Sequence, residues 1–309
     1  MAIPVDAVAA YSKPPMCHSA TLTQLADGRL FCAWYAGSYE CAADTVLQWS
    51  CRGVTGKWSD ARTIASFGGY GVGNPVVDCD PVTGDLSLYF VVLSGPWWTD
   101  SLLVAIKSFN DGQTWSAPVL ISPERGLMCR TNIVHLQSGL LLLPIYRERQ
   151  FSPLVLRSGD NGQTWEMVGD TTVSGRAIQP AIIELSSGTL AMYLRTTTGR
   201  IFVSYSFNNG ASWTASQPTA LPNPNSSVAV IRIADGRLVL AYNPSESTRD
   251  TLAFCLSADD GQTWSDPNVI ASQRNAEYSY PTLYEDVQGS VHAVFTQNRS
   301  SIMHGILLN

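Results

Sequence analysis

Apolar residues in this chain recur at every second position over short runs. TLTQL and LFCAWY, AIIEL and LAMYL, VAVIRI and LVLAY each hold the alternation for about one strand length and then stop. A period of two over that span predicts half-buried β-strands. The runs come in pairs with a glycine between them, at ADGRL from 26, TGDL from 83, QSGLL from 137, SSGTL from 186, ADGRL from 234 and VQGSV from 287. Glycine supplies the positive φ that a tight hairpin turn needs, so the six sites read as six hairpins.

A second punctuation mark follows five of the six hairpins. SFNDGQTW (108–115), SGDNGQTW (158–165), SFNNGASW (206–213) and SADDGQTW (257–264) are four copies of SxDxGxTW with Asn allowed for Asp, and their tryptophans recur every 48–51 residues. A degenerate copy, SCRGVTGKW (50–58), precedes them. Repetition at this period marks a repeat architecture. Each unit reads as strand, Gly turn, strand, loop, strand, SxDxGxTW turn, strand, which is a four-stranded antiparallel blade. In the motif, Asp or Asn bonds the turn backbone, Gly permits the bend and Trp fills the gap between sheets, a structural role. The sixth unit ends at HGILLN after its third strand, and AIPVDAVAA at the N-terminus can supply the missing fourth. The expectation is an all-β chain, a single six-bladed β-propeller domain over 1–309, closed by its N-terminal strand.

Composition removes several function classes. With 45% hydrophobic and 14% charged residues over 309 positions, and 9 Trp, 12 Tyr and 9 Phe, the chain has ample core and is not disordered. The net charge of −6 comes without a basic run, so nucleic acid is not expected as a partner. No segment approaches the roughly 18 apolar residues of a membrane span, so no membrane association is expected. The start MAIPVDAVAAYSK lacks a signal-peptide pattern, which points to a cytoplasmic protein. Seven cysteines without a CxxC pair or a histidine cluster read as buried thiols, with no metal and no cofactor expected. The oligomeric state is not legible.

In a propeller, the start of each first strand and the end of each second strand meet on one rim. Polar or aromatic residues stand at those places in every repeat: His18 with Glu40 and Asp44; Asn74 with Trp97 and Trp98; Arg130 with Arg147 and Glu148; Gln179 with Arg195; Asn225 with Asn243 and Arg249; Tyr280 with Gln297 and Arg299. Several arginines above one rim of an acidic chain suit a carboxylate-bearing ligand. The same arginines could also sit in ordinary ion pairs with Asp250, Glu148 or Glu40. His135, His292 and His304 lie inside strands and read as structural. Trp97 and Trp98 form a platform that either stacks on a sugar ring or covers its blade.

On these motifs the chain resembles the sialidase (neuraminidase) superfamily, and more closely its BNR-repeat branch, whose propeller carries such Asp boxes. QPAIIELSSGTLAMYLR resembles the blade-4 segment that opens near a Glu and ends on an arginine of the carboxylate-binding triad. The resemblance therefore implies Arg195 as a triad arginine and puts Gln179 where the Glu stands. STRDTLAFCLSADDGQTW resembles the blade-5 segment with another triad arginine, which falls on Arg249. EYSYPTL resembles the segment with the nucleophilic tyrosine, implying Tyr280, with Tyr278 as second choice. The loop GSYECAAD occupies the place of the acid/base aspartate, implying Glu40 first and Asp44 second. Where the family's first blade carries an arginine, CHSATL delivers His18. Arg130, Arg299, Asn243 and Trp97 complete the expected binding rim.

A tyrosine nucleophile avoids placing a second negative charge beside a carboxylate substrate. Its phenol needs a base, which Glu would be and Gln179 cannot be, so Glu148 or His18 would substitute. Three readings follow. One is an exo-acting glycoside hydrolase releasing a terminal acidic sugar from an acidic glycan or oligosaccharide. Another is a lyase or other glycosidase acting on a uronate, with His18 and Tyr280 as base and acid. The third is a carbohydrate-binding propeller without turnover.

Overall fold

A computed structural model describes residues 3–10, 16–53, 56–169 and 176–309. Among these residues the chain is all-β apart from one short 3-10 turn, and its strands form six antiparallel sheets, the blades of a six-bladed β-propeller. In chain order, blade 1 is Met16–Gln24, Leu30–Gly37, Val46–Arg52 and Arg62–Ala65. Blade 2 is Val72–Cys79, Leu86–Leu93, Ser101–Ser108 and Val119–Leu120. Blade 3 is Leu127–Cys129, Leu141–Arg147, Ser152–Ser158 and Glu166–Val168, with Val134–His135 also paired to its second strand. Blade 4 is Ala177–Glu184, Leu190–Thr196, Arg200–Ser206 and Gln217–Pro222, and blade 5 is Ala229–Arg232, Leu238–Tyr242, Thr251–Ser257 and Asn268–Ser272. Blade 6 is Tyr278–Glu285, Val291–Gln297, Ser301–Leu308 and, last in order, the N-terminal strand Val5–Ala10. Two compact units divide the chain: a middle unit, Thr131–Leu283, and a terminal unit, Pro4–Arg130 with Tyr284–Asn309.

Burial follows the strand order within a blade. The second strand of blade 1 is buried at every position, whereas the fourth strands Arg62–Ala65 and Val119–Leu120 are largely exposed. The six hairpin glycines, Gly28, Gly84, Gly139, Gly188, Gly236 and Gly289, all have φ between +76° and +91°. The tryptophan turns repeat the bonds to their Ser and Asp or Asn side chains. In the first, Gly112 N–H donates to Ser108 Oγ (2.9 Å), Thr114 N–H donates to Asn110 Oδ1 (2.9 Å) and Trp115 Nε1 donates to Gly112 O (3.1 Å). The fourth motif position is left-handed every time, at Asp111, Asn161, Asn209 and Asp260. Hydrogen bonds from the Thr164 and Thr263 side chains and main chains hold the Asp160 and Asp259 carboxyls down to about 2. Trp115 leans on Phe31 of blade 1, and Trp264 meets Tyr193 of blade 4 edge-on, so both rings pack against the preceding sheet. In the degenerate copy, Val54 and Thr55 lie outside the described residues, and Trp58 packs edge-on against His304. Burial pushes the thiols of Cys17, Cys129 and Cys255 up to about 12, which keeps them protonated as apolar filling.

The N-terminal strand pairs antiparallel with Ser301–Leu308, from Val5 opposite Gly305 to Ala10 opposite Ser301. A buried polar chain fastens this pairing. Asp286 Oδ2 lies 2.9 Å from His292 Nε2, His292 Nδ1 lies 2.9 Å from His304 Nε2, and His304 Nδ1 lies 2.8 Å from Asp6 Oδ1. Burial lowers the His292 imidazole from its ordinary value, against the opposing hydrogen bond to Asp286. Burial alone would raise the Asp6 and Asp286 carboxyls, yet hydrogen bonds and charge from His304 and His292 respectively leave both below the usual carboxylate value. Their stabilisation is therefore full above the unfolded value of 3.8 and is lost as pH falls through the depressed folded values. Hydrogen exchange of the amides of residues 5–10 should lose protection on acidification through that range. Asp6→Asn should loosen the strand at neutral pH by about 1 kcal/mol, a discounted value because Asp6 is half exposed, and should flatten the acid response. Equal protection in both proteins across pH would show that the chain does not hold the strand.

Candidate active site

The first strands do not run straight into the site. Their pairing slips between His18 and Thr21 in blade 1, between Gly73 and Val76 in blade 2 and between Ile178 and Ala181 in blade 4. A non-glycine residue sits within each slip in the left-handed region: Ser19 at φ +58°, Asn74 at +48° and Gln179 at +55°. Asn225 at +55° and Tyr280 at +57° share that conformation in blades 5 and 6. Proline follows Asn74, Gln179 and Tyr280, so the next residue has no N–H to lose from the ladder. Such a bulge re-aims one side chain, and holding a tyrosine there costs roughly 1 kcal/mol or more. In blade 1 the left-handed residue is Ser19, with His18 one step before it.

In the middle unit, four of the expected residues form one hydrogen-bonded cluster. Arg195 Nη1 donates to the Tyr280 phenol oxygen (3.0 Å) and to Gln179 Oε1 (3.0 Å). Gln179 Nε2 donates to the same phenol oxygen (3.1 Å) and reaches Tyr146 Oη at 3.4 Å. Asn225 Oδ1 accepts Arg195 Nε at 2.8 Å. The main-chain oxygen of Asn225 accepts Arg249 Nη2, so one residue holds both arginines. Arg249 Nη1 also lies 3.1 Å from Glu277 Oε1, to which Ser279 Oγ donates at 2.9 Å. Beneath them, fully buried Asn243 donates to the main-chain oxygens of Thr251 (2.7 Å) and Tyr278 (2.8 Å), so its amide braces backbone. Tyr278 is itself buried in the strand start.

Sequence reasoning missed Tyr146 and Glu277. Tyr146 is the inward neighbour of Arg147, whose guanidinium turns instead to Met167 Sδ (3.2 Å), as strand alternation requires. Burial, then the nearby charge of Glu148, pushes the Tyr146 phenol well above its usual value. Glu277 opens the EYSYPTL segment, but its role becomes visible only through its contact with Arg249.

The terminal unit places the other expected residues. His18 is fully buried, with Nδ1 2.9 Å from Thr296 Oγ1 and Nε2 3.5 Å from Glu40 Oε1. Glu40 also accepts the Tyr35 hydroxyl (3.3 Å) and pairs with Arg299. Asp44 turns back on its own loop, accepting Ser38 N–H (3.1 Å) and the Ser38 hydroxyl, which together hold its carboxyl below the usual value. Arg130 is buried immediately after the first strand of blade 3. Trp98 packs edge-on against Tyr35 and over Gly73, where an added Cβ would lie 2.5 Å from its ring. Trp97 stands 69% exposed, so of this pair it is Trp97 that offers an open face.

Residues 28–293 match the family model described as a BNR repeat-like domain. The chain belongs to the BNR repeat-like domain family. Within it, this member is sialidase-like: it is 24% identical over 275 residues to a sialidase of Bacteroides fragilis, covering 73% of this chain and 49% of that protein. The chain thus spans about half the length of this curated relative. The NanB sialidase of Streptococcus pneumoniae superposes with a TM-score of 0.83 at 15% identity, over 99% of this chain and 70% of that one. The intramolecular trans-sialidase of Ruminococcus gnavus gives 0.77 at 14% identity, over 98% and 97%. At such identities the BNR likeness is one of fold. Within this BNR chain, the importance of Asn225 as a shared anchor is measurable by denaturant unfolding. Asn225→Gly keeps the backbone freedom but removes the acceptor and should cost about 1–2 kcal/mol, while Asn225→Asp should keep most of that stability. Equal midpoints for all three proteins would remove the anchoring role.

Proposed function

We propose that this chain is an exo-acting glycoside hydrolase of the sialidase type, releasing a terminal acidic sugar, sialic acid or a relative, from a glycan. The observation that carries the reading is the Tyr280 phenol oxygen, set by a left-handed backbone and approached by Arg195 and Gln179 at 3.0 and 3.1 Å. Arg195 and Arg249, both anchored on Asn225, are suited to receive the sugar carboxylate. Tyr280 attacks the anomeric carbon while the bond to the leaving oxygen breaks and a general acid gives that oxygen its proton. Water then displaces the tyrosine and returns a proton to that acid, restoring both groups. The two donors on the phenol oxygen stabilise the negative charge that develops there as its proton leaves. Glu148, whose charge already acts on Tyr146, takes the phenol proton.

One observation favours a second reading. Gln179 cannot act as a base, and the buried imidazole of His18 lies beside Glu40. Elimination on a uronate needs no such base beside Tyr280: the arginines would neutralise its carboxylate and Tyr280 would move a proton. A third possibility is sugar binding without turnover.

Assays on sialyl and uronate oligosaccharides separate these readings, with free sugar, anhydro sugar and a near-ultraviolet unsaturated product as readouts. The expected result is released acidic sugar, with Tyr280→Phe lowering turnover by roughly 10³ or more while folding is retained. Arg195→Ala and Arg249→Ala should each lower kcat/KM by roughly 10². An ultraviolet-absorbing product would establish the lyase reading instead, and ligand binding with no product would leave a binding module.

A further inference from the structure

We propose that Glu277 sets which anions this site accepts, admitting a single carboxylate and disfavouring doubly charged groups such as phosphate. The proposal rests on the reading of Arg195 and Arg249 as the receptor for the sugar carboxylate. It deepens that reading by assigning the specificity to a residue outside the expected set.

The two arginines differ in how their charge is met. Arg195 bonds only neutral acceptors, namely Asn225 Oδ1, Gln179 Oε1 and the Tyr280 phenol oxygen. Its Nη2, with two N–H groups, has no hydrogen-bond partner among the described residues, and its positive charge meets no carboxylate in these bonds. Arg249 instead meets the carboxylate of Glu277 at 3.1 Å. That pair is built into the backbone. Tyr278 N–H donates to Arg249 O at 2.7 Å, Asn243 donates to Tyr278 O at 2.8 Å, and Ser279 Oγ holds the same Glu277 oxygen that takes Arg249 Nη1. The Arg249 and Glu277 side chains are only 20% and 28% exposed, so solvent screens their charges incompletely.

The guanidinium pair and Glu277 together therefore present one net positive charge. A monocarboxylate neutralises it. A phosphate dianion would bring an uncompensated negative charge beside the Glu277 carboxylate, which fixed like charges disfavour. Glutamine at this position keeps the acceptor for Arg249 and Ser279 while deleting the negative charge.

The test compares wild type with Glu277→Gln by calorimetric binding of N-acetylneuraminic acid and of inorganic phosphate at a pH where phosphate is mostly dianionic. Folding is checked by circular dichroism. Wild type should bind the sugar acid and bind phosphate weakly. Glu277→Gln should tighten phosphate by roughly tenfold or more and gain much less for the sugar acid, narrowing the preference. An unchanged ratio of the two dissociation constants would overturn the role of Glu277 while leaving the carboxylate reading standing. A wild-type protein that binds no carboxylic sugar would overturn that reading, and this proposal with it.

Discussion

Left-handed backbone at one position of the first strands is the constraint on which the site depends. An ordinary strand would send Gln179 and Tyr280 alternately to the two faces of their sheets, and their side chains would be spent on packing. The slip in pairing at Ile178 and Ala181 instead frees one residue, and the proline after it asks for no ladder hydrogen bond. Tyr280 pays a conformational penalty that a tyrosine in a regular strand avoids, and strain of this kind is retained where a side chain must be aimed. The surrounding packing has to exceed that penalty. The second strands with their buried faces, the glycine hairpins and the tryptophans of the SxDxGxTW turns are what supply it.

Once aimed, the groups form an arrangement with an unusual balance of charge. A carboxylate at position 179 would compete with an acidic ligand for Arg195, whereas the Gln179 amide serves both neighbours, accepting from Arg195 and donating to Tyr280. Arg195 keeps its positive charge for a ligand. Arg249 shares its charge with Glu277, and Asn225 keeps the two guanidiniums on one anchor without neutralising either. The same physical logic appears in the terminal unit, where Glu40 is held by Arg299 and Tyr35 with His18 close by.

Most of the architecture was legible because it is written in local chemistry. Glycines at hairpins need positive φ, the Ser, Asp and Trp of the turns make bonds within eight residues, and strand burial shows as alternation. The closing N-terminal strand was legible by counting strands, since the sixth repeat lacks one. What stayed hidden depends on long-range pairing. The slip that aims Gln179 and the left-handed backbone at Tyr280 leave no mark except the following proline, and Ser19 lacks even that. Tyr146 was passed over for Arg147 because polarity outweighed alternation in the reading. Asp44 competed with Glu40 on sequence distance alone, and only the folded loop shows its carboxylate engaged by Ser38. His292 and His304 read as structural within strands, but their joint link to Asp6 joins residues almost a full chain length apart.

The central claim is that Tyr280, held by Arg195 and Gln179, is the group that meets the anomeric carbon of an acidic sugar. Peptide mapping by mass spectrometry after exposure to a fluorinated sialic acid that stalls the second step tests this most directly. The account predicts a single sugar adduct on the peptide containing Tyr280, absent when Arg195 is replaced by alanine. An adduct on another residue, or active protein that turns over sialosides without ever carrying one, would contradict it.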